Sequence, residues 1–285
     1  MLTVLAPAKL NLVLEVLGKR SDGYHEVRSL IQTINLCDRI TFERASEISL
    51  ECDEPSLQGA DNLVLRAALL LKEVTGFTKG MKIKLEKHIP WGMGLGGGSS
   101  DAAVTLLALN QLWGLNLTMT KLMRLAAQLG SDAPFFLYRG TAVVSGRGEK
   151  VRPLANLAPS WFVVLVPPLP RIPQKTKHLY NSLTAEYFTR GEFTKKAVRS
   201  CSRAKSFNKS LLFDVFEKVA FDIFLGLRDY RECFIKAGAS NVCLAGSGLA
   251  LFSLVETERM GKELYSRLYS EGVECYLVST FVPEV

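Results

Sequence analysis

The sequence predicts an α+β protein built from two domains. Segments with the two-residue alternation of half-buried strands are interleaved with segments whose apolar residues have helical spacing. A glycine-rich stretch, 92–98, joins a predicted strand to a predicted helix. After about residue 155 the character changes, and four prolines between 167 and 173 end a buried-type strand. We therefore expect one domain over 1–155 and a second over 156–285.

The first domain opens with a strand over 2–17, in which Lys9 and Asn11 share one face. Turn residues follow at 18–23. Further strands are predicted over 29–35, 39–43 and 81–86, and helices over 62–75, 99–113 and 118–129. In the second domain we expect strands over 161–166, 241–244, 250–255 and 275–282, and helices over 211–225 and 256–269.

The composition is that of a globular protein. Of 285 residues, 48% are hydrophobic and 22% are charged, enough for a substantial core. Six scattered cysteines without a Cys-x-x-Cys pair favour neither a zinc site nor a disulfide framework. No secretory signal is visible, and the apolar runs are shorter than the roughly 20 residues that span a bilayer. We expect a cytoplasmic protein without a membrane partner.

The net charge of +7 permits an anionic partner. The densest basic stretch, 190–209, is either a polyanion-binding patch or a solvated helix or loop. Few aromatic residues are interleaved with its cations, which weakens the case for single-stranded nucleic acid. We favour the solvated segment and expect no nucleic-acid partner.

The strongest motif lies between a predicted strand and a predicted helix. Its residues are Pro90, Trp91, Gly92, Met93, Gly94, Leu95, Gly96, Gly97, Gly98, Ser99 and Ser100. Glycines let the backbone approach a ligand, and the N–H groups of the loop and of the following helix can bind an anion. Ser99 and Ser100 can cap the helix or donate to phosphate oxygens.

Three interpretations of this loop compete. A Walker A loop needs a lysine, but no Lys or Arg occurs from Trp91 through Thr120. A dinucleotide fingerprint needs an acidic residue about 20 positions further on, and none lies between Asp101 and Asp132. The third interpretation, a loop that binds triphosphate with amides and hydroxyls alone, is favoured.

The loop resembles the Pro-x-x-x-Gly-Leu-Gly-Gly-Gly-Ser-Ser motif of the GHMP kinases, and its triple glycine resembles their diphosphocytidyl-methylerythritol kinase branch. Met93 stands where a smaller residue is usual. The resemblance covers nearly the whole chain and is strongest in 6–36, 61–65, 88–103 and 130–148. It implies an N-terminal ATP-binding domain like ribosomal protein S5, a C-terminal ferredoxin-like α/β sandwich, and ATP and Mg²⁺ as cofactors.

Two residues are candidates for catalysis. From pattern alone, Asp132 is either a proton acceptor or the N-cap of a short helix that starts with Pro134 nearby. Lys9 and Asn11 belong either to a site or to an edge strand that faces solvent. The resemblance implies that Asp132 is the catalytic carboxylate, that Lys9 assists it, and that Asn11 contacts the substrate.

The remaining candidates concern the ligands. Tyr24 and His25 either belong to a hairpin packed in the core or contact a nucleobase, and the resemblance implies the cytidine of the substrate. It places Asn62 near adenine, although Asn62 is equally a helix cap. It makes Thr176 a substrate contact and Gly246, Ser247 and Gly248 a third glycine motif near the phosphates. For Mg²⁺ only Ser99 and Ser100 are candidate ligands.

The implied reaction is ATP-dependent phosphorylation of the 2-hydroxyl of a small molecule that carries a cytidine diphosphate group. Alternatives are another GHMP kinase, of the homoserine or mevalonate type, and a nucleotide-binding sensor without catalysis. Retention of both Lys9 and Asp132 argues against the sensor. We expect a monomer or a homodimer.

Overall fold

The structure of the protein is a computed structural model that describes residues 1–170, 172–204 and 206–281. In that part of the chain the strands are β1 (Leu2–Lys19), β2 (His25–Ala45), β3 (Ile48–Cys52), β4 (Gly80–Glu86), β5 (Thr141–Gly146), β6 (Lys150–Pro153), β7 (Trp161–Leu165), β8 (Phe213–Asp214), β9 (Cys243–Leu244), β10 (Leu251–Val255) and β11 (Cys275–Ser279). The helices are α1 (Leu63–Thr75), α2 (Gly97–Leu112), α3 (Met119–Leu129), α4 (Ala133–Tyr138), α5 (Lys175–Ser182), α6 (Glu192–Ala204), α7 (Glu217–Ile223), α8 (Leu227–Lys236) and α9 (Glu258–Ser270).

The first sheet is built on two long antiparallel strands, β1 and β2. Its order is β3-β4-β2-β1-β8, and β5 pairs with β2 and with β6. One end of β2 pairs with β5 and the other end with β4, so the sheet forks along this strand. Apolar residues of β1, β2 and β4 pack against α1 to α4 and form one core. The sheet thereby carries both predicted site residues of β1, Lys9 and Asn11.

The second sheet is antiparallel, in the order β11-β7-β10-β9, and α9 packs against it. The two halves of the chain are joined through β8, which pairs in parallel with Val13 and Leu14 of β1. A second core contains residues from both halves, among them Leu12 and Val164. The predicted boundary near residue 155 falls in the connection between β6 and β7, and the division into domains stays a prediction.

Most predicted elements are confirmed, with shifted ends. Helix α2 begins two residues before the predicted 99–113, and the two strands predicted over 29–35 and 39–43 are one continuous strand. The helix predicted over 211–225 is wrong at its start, because Phe213 and Asp214 pair with β1 and only 217–223 is helical. Tertiary pairing overrides local propensity there. Residue 282, the last of the strand predicted over 275–282, lies outside the described residues.

In the described ranges, every helix is too short or too polar to cross a lipid bilayer.

A buried charge cluster ties the sheet to the start of α2. The Lys87 ammonium contacts the carboxylates of Asp38 and Asp101, and their side chains are only 6%, 0% and 3% exposed. The other oxygen of Asp38 accepts hydrogen bonds from the N–H groups of His88 and Ile89, at 2.6 and 2.8 Å. Burial raises the pKa of Asp101 to about 8, and the Lys87 charge opposes that rise. The cluster fixes β2, the end of β4 and α2 relative to one another.

We predict that Lys87→Met lowers the free energy of unfolding by about 3–5 kcal/mol, because it leaves two buried carboxylates facing each other without a cation. Urea denaturation monitored by circular dichroism measures the loss. Lys82→Met, which breaks the solvent-exposed pair with Glu51, is the matched control and should change little. Similar losses in the two variants would contradict this role for the cluster.

Candidate active site

The glycine-rich loop ends in a helix N-terminus without a side-chain cap. Gly96 occupies the N-cap position of α2 with φ +76° and, being a glycine, provides no side-chain cap for the first N–H groups. Gly92 and Gly94 also have positive φ, +77° and +89°, which side-chain-bearing residues rarely adopt. Ser99 and Ser100 lie within the first turn and are not the cap. Free N–H groups and the helix dipole together make this end of α2 an anion-binding position.

The third glycine motif packs directly on the loop, backbone against backbone. A Cβ atom on Gly94 would lie 2.0 Å from the carbonyl oxygen of Ala245. A Cβ atom on Gly248 would lie 1.8 Å from the carbonyl oxygen of Met93. Only glycine permits this approach at either position. The turn 245–248 of the second half therefore fixes the loop of the first half.

Lys9 is enclosed between the two glycine motifs. Its side chain is 5% exposed, its ammonium donates to the Asn11 carbonyl oxygen, and it lies 3.9 Å from an Asp132 carboxylate oxygen. A Cβ atom on Gly96 would approach Cγ of Lys9 to 2.9 Å, and one on Gly246 would approach Nζ to 3.1 Å. The structure thus brings the two predicted catalytic residues together.

The alternative that Lys9 belongs to an edge strand that faces solvent is wrong. On one side Lys9 pairs with Thr33 of β2, and on the other its N–H donates to the carbonyl oxygen of Leu95 at 2.9 Å. The glycine-rich loop therefore covers the strand edge at this point. Burial of an ammonium beside a phosphate-type loop places a fixed positive charge there.

Asp132 occupies the N-cap position of α4, but its side chain makes no capping hydrogen bond. Its side chain is 40% exposed and points toward Lys9. Asp132 is therefore the N-cap residue of α4 by position, but its side chain does not cap the helix. A solvated carboxylate beside a buried ammonium can accept a proton from a bound hydroxyl.

Asn11 is held by its neighbours. Its amide nitrogen donates to the Ser29 hydroxyl at 2.8 Å, and that hydroxyl donates to the carbonyl oxygen of Val13 at 2.6 Å. Its amide oxygen accepts from Lys9. This chain of hydrogen bonds orients Lys9, whereas contact between Asn11 and a substrate stays a prediction.

A cleft of about 780 Å³ holds most of the other candidates. Those lining it include Lys9, Asn11, Tyr24, His25, Ser99, Asp132, Thr176, Gly246 and Ser247. The Thr176 and Ser247 hydroxyls are hydrogen bonded at 2.9 Å, so a residue of α5 and the third glycine motif meet in one wall. The cleft is large enough for a small organic ligand.

Tyr24 and His25, which both line this cleft, differ in exposure and in their contacts. Tyr24 is 51% exposed, so the alternative that it packs in the core is wrong, and the Arg147 guanidinium lies 4.5 Å from its ring centroid. His25 is 8% exposed and stacks on Tyr180 at 4.9 Å. Its buried Nε2 has no hydrogen-bond partner among the described residues. Burial, together with the Lys19 charge, lowers the pKa of His25, which favours the neutral imidazole.

A second opening, of about 650 Å³, borders the loop without sharing a lining residue with the cleft. Its first-half wall runs from Lys87 to Trp91 and includes Met93, and its other wall contains Pro167 and Tyr276. Asn62 lines neither opening. Its side chain caps α1, accepting from the N–H of Val64 at 2.8 Å.

Two residues near Lys9 were not identified as site residues from the sequence. Lys175, the first residue of α5, donates from Nζ to the carbonyl oxygen of Gly92 at 2.5 Å. Asp214 is 2% exposed, and one of its carboxylate oxygens has no hydrogen-bond partner within the described residues. Burial raises the pKa of Asp214, which the Lys9 charge opposes. No local signal marks Asp214, because its place depends on the pairing of β8 with β1.

The basic stretch 190–209 is helical over α6, and Lys195 and Arg199 are exposed there. Together with Arg28 and Arg152 they line a separate pocket of about 400 Å³. Lys205 and the side chain of Arg203 lie outside the described residues. Whether the stretch binds a polyanion stays a prediction.

Comparison with known proteins gives consistent matches. The family model described as "GHMP kinases N terminal domain" matches residues 62–140, and that described as "GHMP kinases C terminal" matches 194–274. A 4-diphosphocytidyl-2-C-methyl-D-erythritol kinase of Dehalococcoides mccartyi is 46% identical, over 99% of both chains. One of Brevibacillus brevis is 37% identical, over 94% of this chain and 92% of the relative.

Solved structures agree with these matches. A crystal structure of 4-(cytidine 5'-diphospho)-2C-methyl-D-erythritol kinase superposes with a TM-score of 0.82 at 35% identity, over 99% of this chain and 100% of the other. Homoserine kinase from Cytophaga hutchinsonii gives a TM-score of 0.65 at 17% identity, over 98% of this chain and 94% of the other. The second likeness shows the fold alone.

We predict that Gly248→Ala separates the two glycine motifs and lowers the free energy of unfolding by about 1–3 kcal/mol, because its Cβ atom meets a backbone carbonyl that cannot rotate away. Gly59→Ala, where a Cβ atom meets nothing within 4 Å, is the control. Urea denaturation compares the two, and equal midpoints would show that the loops are not packed as described.

Proposed function

The chain belongs to the GHMP kinase family and, within it, to the 4-diphosphocytidyl-2-C-methyl-D-erythritol kinases; from this premise we propose that it transfers the γ-phosphoryl group of ATP to the 2-hydroxyl of 4-diphosphocytidyl-2-C-methyl-D-erythritol, a step of non-mevalonate isoprenoid synthesis. One observation carries the proposal. The Asp132 carboxylate lies beside the buried ammonium of Lys9 at the N-terminal end of α2, which has no side-chain cap. Both residues line the same cleft as Tyr24 and His25.

For ATP, the supporting geometry is the pair of openings on either side of the loop. We propose that the phosphates lie on the N–H groups of residues 94–100 and that the nucleoside occupies the opening lined by 87–91. The acceptor would then occupy the cleft that contains Asp132. Asn62 caps α1, and its contact with adenine stays a prediction.

In the proposed reaction the acceptor oxygen attacks the γ-phosphorus, and the bond to the bridging oxygen of ADP breaks. Asp132 accepts the hydroxyl proton, while Lys9 stabilises negative charge on the oxygen atoms of the phosphoryl group during its transfer. Most of the acceleration comes from holding donor and acceptor in line, since phosphoryl transfer requires little covalent chemistry from the protein. The glycine contacts that enclose Lys9 hold its ammonium in a fixed place beside the loop.

The proposed Mg²⁺ suits the hydroxyls at the start of α2. The Ser100 hydroxyl is buried and has no hydrogen-bond partner in the described part of the chain, and Ser99 lines the cleft. Hard oxygen ligands of this kind, together with phosphate oxygens, suit Mg²⁺. The ion would supply charge neutralisation of the triphosphate.

For the acceptor, Tyr24 and His25 are the proposed cytosine contacts. An exposed ring with a guanidinium on one face can stack on a base. The neutral His25 imidazole has one donor and one acceptor nitrogen, and the unpartnered Nε2 can complete a hydrogen bond with the base edge. Thr176 and Ser247 are further proposed contacts. We also propose that the protein acts in the cytoplasm, where ATP is made, as a monomer or homodimer.

The proposed function is tested by ADP release from Mg·ATP with a panel of 4-diphosphocytidyl-2-C-methyl-D-erythritol, homoserine, mevalonate and galactose. We expect turnover with the cytidine compound alone. Turnover with another acceptor would support kinase activity but contradict the proposed roles of Tyr24 and His25. ATP binding without turnover of any acceptor would favour a nucleotide sensor.

We predict that Asp132→Asn and Lys9→Met each lower kcat by about 10²- to 10⁴-fold, the usual contribution of a positioned proton acceptor and its charge partner. Lys121→Met, at an exposed position on α3, is the control and should leave kcat unchanged. Near-normal kcat in either folded site variant would remove that residue from the mechanism.

We predict that His25→Ala raises the KM for the cytidine compound by about 10-fold, because it leaves a base edge without a partner, while the KM for ATP changes little. Initial rates with each substrate varied in turn make the comparison. An increase confined to the KM for ATP would indicate that His25 contacts the nucleotide and not the cytidine compound.

A further inference from the structure

A triphosphate needs cations, yet the glycine-rich loop has none between Trp91 and Thr120. Two lysines of the first half approach it from outside. Lys87 is neutralised by two buried carboxylates, and Lys9 faces Asp132 at 3.9 Å. Lys87 therefore has no charge available for an incoming anion, and Lys9 is shared with the proposed catalytic carboxylate.

Lys175 differs from both. It comes from the second half of the chain, at the start of α5, and its ammonium reaches the loop at the carbonyl oxygen of Gly92. That acceptor is neutral, and no carboxylate pairs with Lys175 within the described ranges. A partly buried ammonium bound only to a carbonyl retains uncompensated charge. Lys175 itself lines neither opening, but its chain neighbours Gln174 and Thr176 line the cleft. Trp91 and Met93, on either side of its acceptor residue, line the nucleotide-side opening.

We propose that Lys175 is the cation of the glycine-rich loop: when a nucleoside triphosphate binds, its ammonium leaves the Gly92 carbonyl and pairs with the phosphate oxygens. This inference deepens the proposed function and rests on it.

The electrostatics around Lys175 support this role. Burial and, to a lesser degree, the Lys9 charge lower the pKa of Lys175 to about 8. An anion that pairs with the ammonium reverses both effects and raises the pKa. Binding should therefore take up protons at pH values just above 8. The ionisable groups of α5 and of the elements around its start include Lys9, Asp132, Lys177, His178, Tyr180 and Asp214.

Isothermal titration calorimetry with Mg·ATP at pH 8.5, in two buffers of different ionisation enthalpy, measures affinity and proton uptake together. The γ-phosphate, with its last pKa of about 6, is already ionised there. We expect wild type to take up on the order of half a proton per ATP. Lys175→Met should weaken ATP binding by about 10- to 100-fold, the range for a hydrogen bond to a charged group, and abolish the uptake.

Lys175→Arg separates charge from structure. Because arginine does not titrate near pH 8.5, this variant should keep most of the affinity but show no proton uptake. Lys121→Met is the control and should match wild type in both. Unfolding midpoints of all variants establish that they are folded.

Wild-type affinity and proton uptake in Lys175→Met would overturn the proposal while leaving the kinase function intact. ATP binding that depends on Lys175, without turnover of any acceptor, would instead support this inference and reject the proposed reaction. Failure of wild type to bind ATP would reject both.

Discussion

The site depends on one constraint: an ammonium group, Lys9, is held between two backbone segments that only glycine can bring so close. Gly96 on one side and Gly246 on the other leave no room for a Cβ atom beside the Lys9 side chain. Burial of this charge is unfavourable unless it is paired. Asn11 and Asp132 provide the pairing, and the Lys9 N–H fixes the loop itself. The catalytic charge and the phosphate loop are therefore one structural unit.

That unit needs both halves of the chain. The turn at 245–248 belongs to the second half, and it reaches the loop because β8 continues the first sheet beside β1. In addition, the buried cluster around Lys87 joins β2 to the N-terminal part of α2. The loop is thus fixed at both ends by interactions outside itself. Rigid support of this kind suits a reaction in which positioning supplies most of the acceleration.

Local patterns predicted much of the fold and the loop. Glycine spacing, strand alternation and the polar pair Lys9 and Asn11 are properties of short segments, and short segments carry them in any context. Contacts between distant segments were not predictable in this way. Lys175 begins α5 directly after a proline-rich connection, and the sequence predicted no helix there. Asp214 was predicted in a helix because its pairing with β1 is non-local. The exposure of Tyr24 likewise depends on packing that the hairpin sequence does not determine.

The central claim is that donor and acceptor meet across the glycine-rich loop, with Asp132 on the acceptor side. A crystal structure with Mg²⁺, a non-hydrolysable ATP analogue and 4-diphosphocytidyl-2-C-methyl-D-erythritol tests it most directly. We predict the acceptor hydroxyl within hydrogen-bond distance of Asp132, cytosine against Tyr24 and His25, and the nucleoside of the analogue in the opening beside Trp91. Cytosine in that opening, or an acceptor hydroxyl remote from Asp132, would contradict the account.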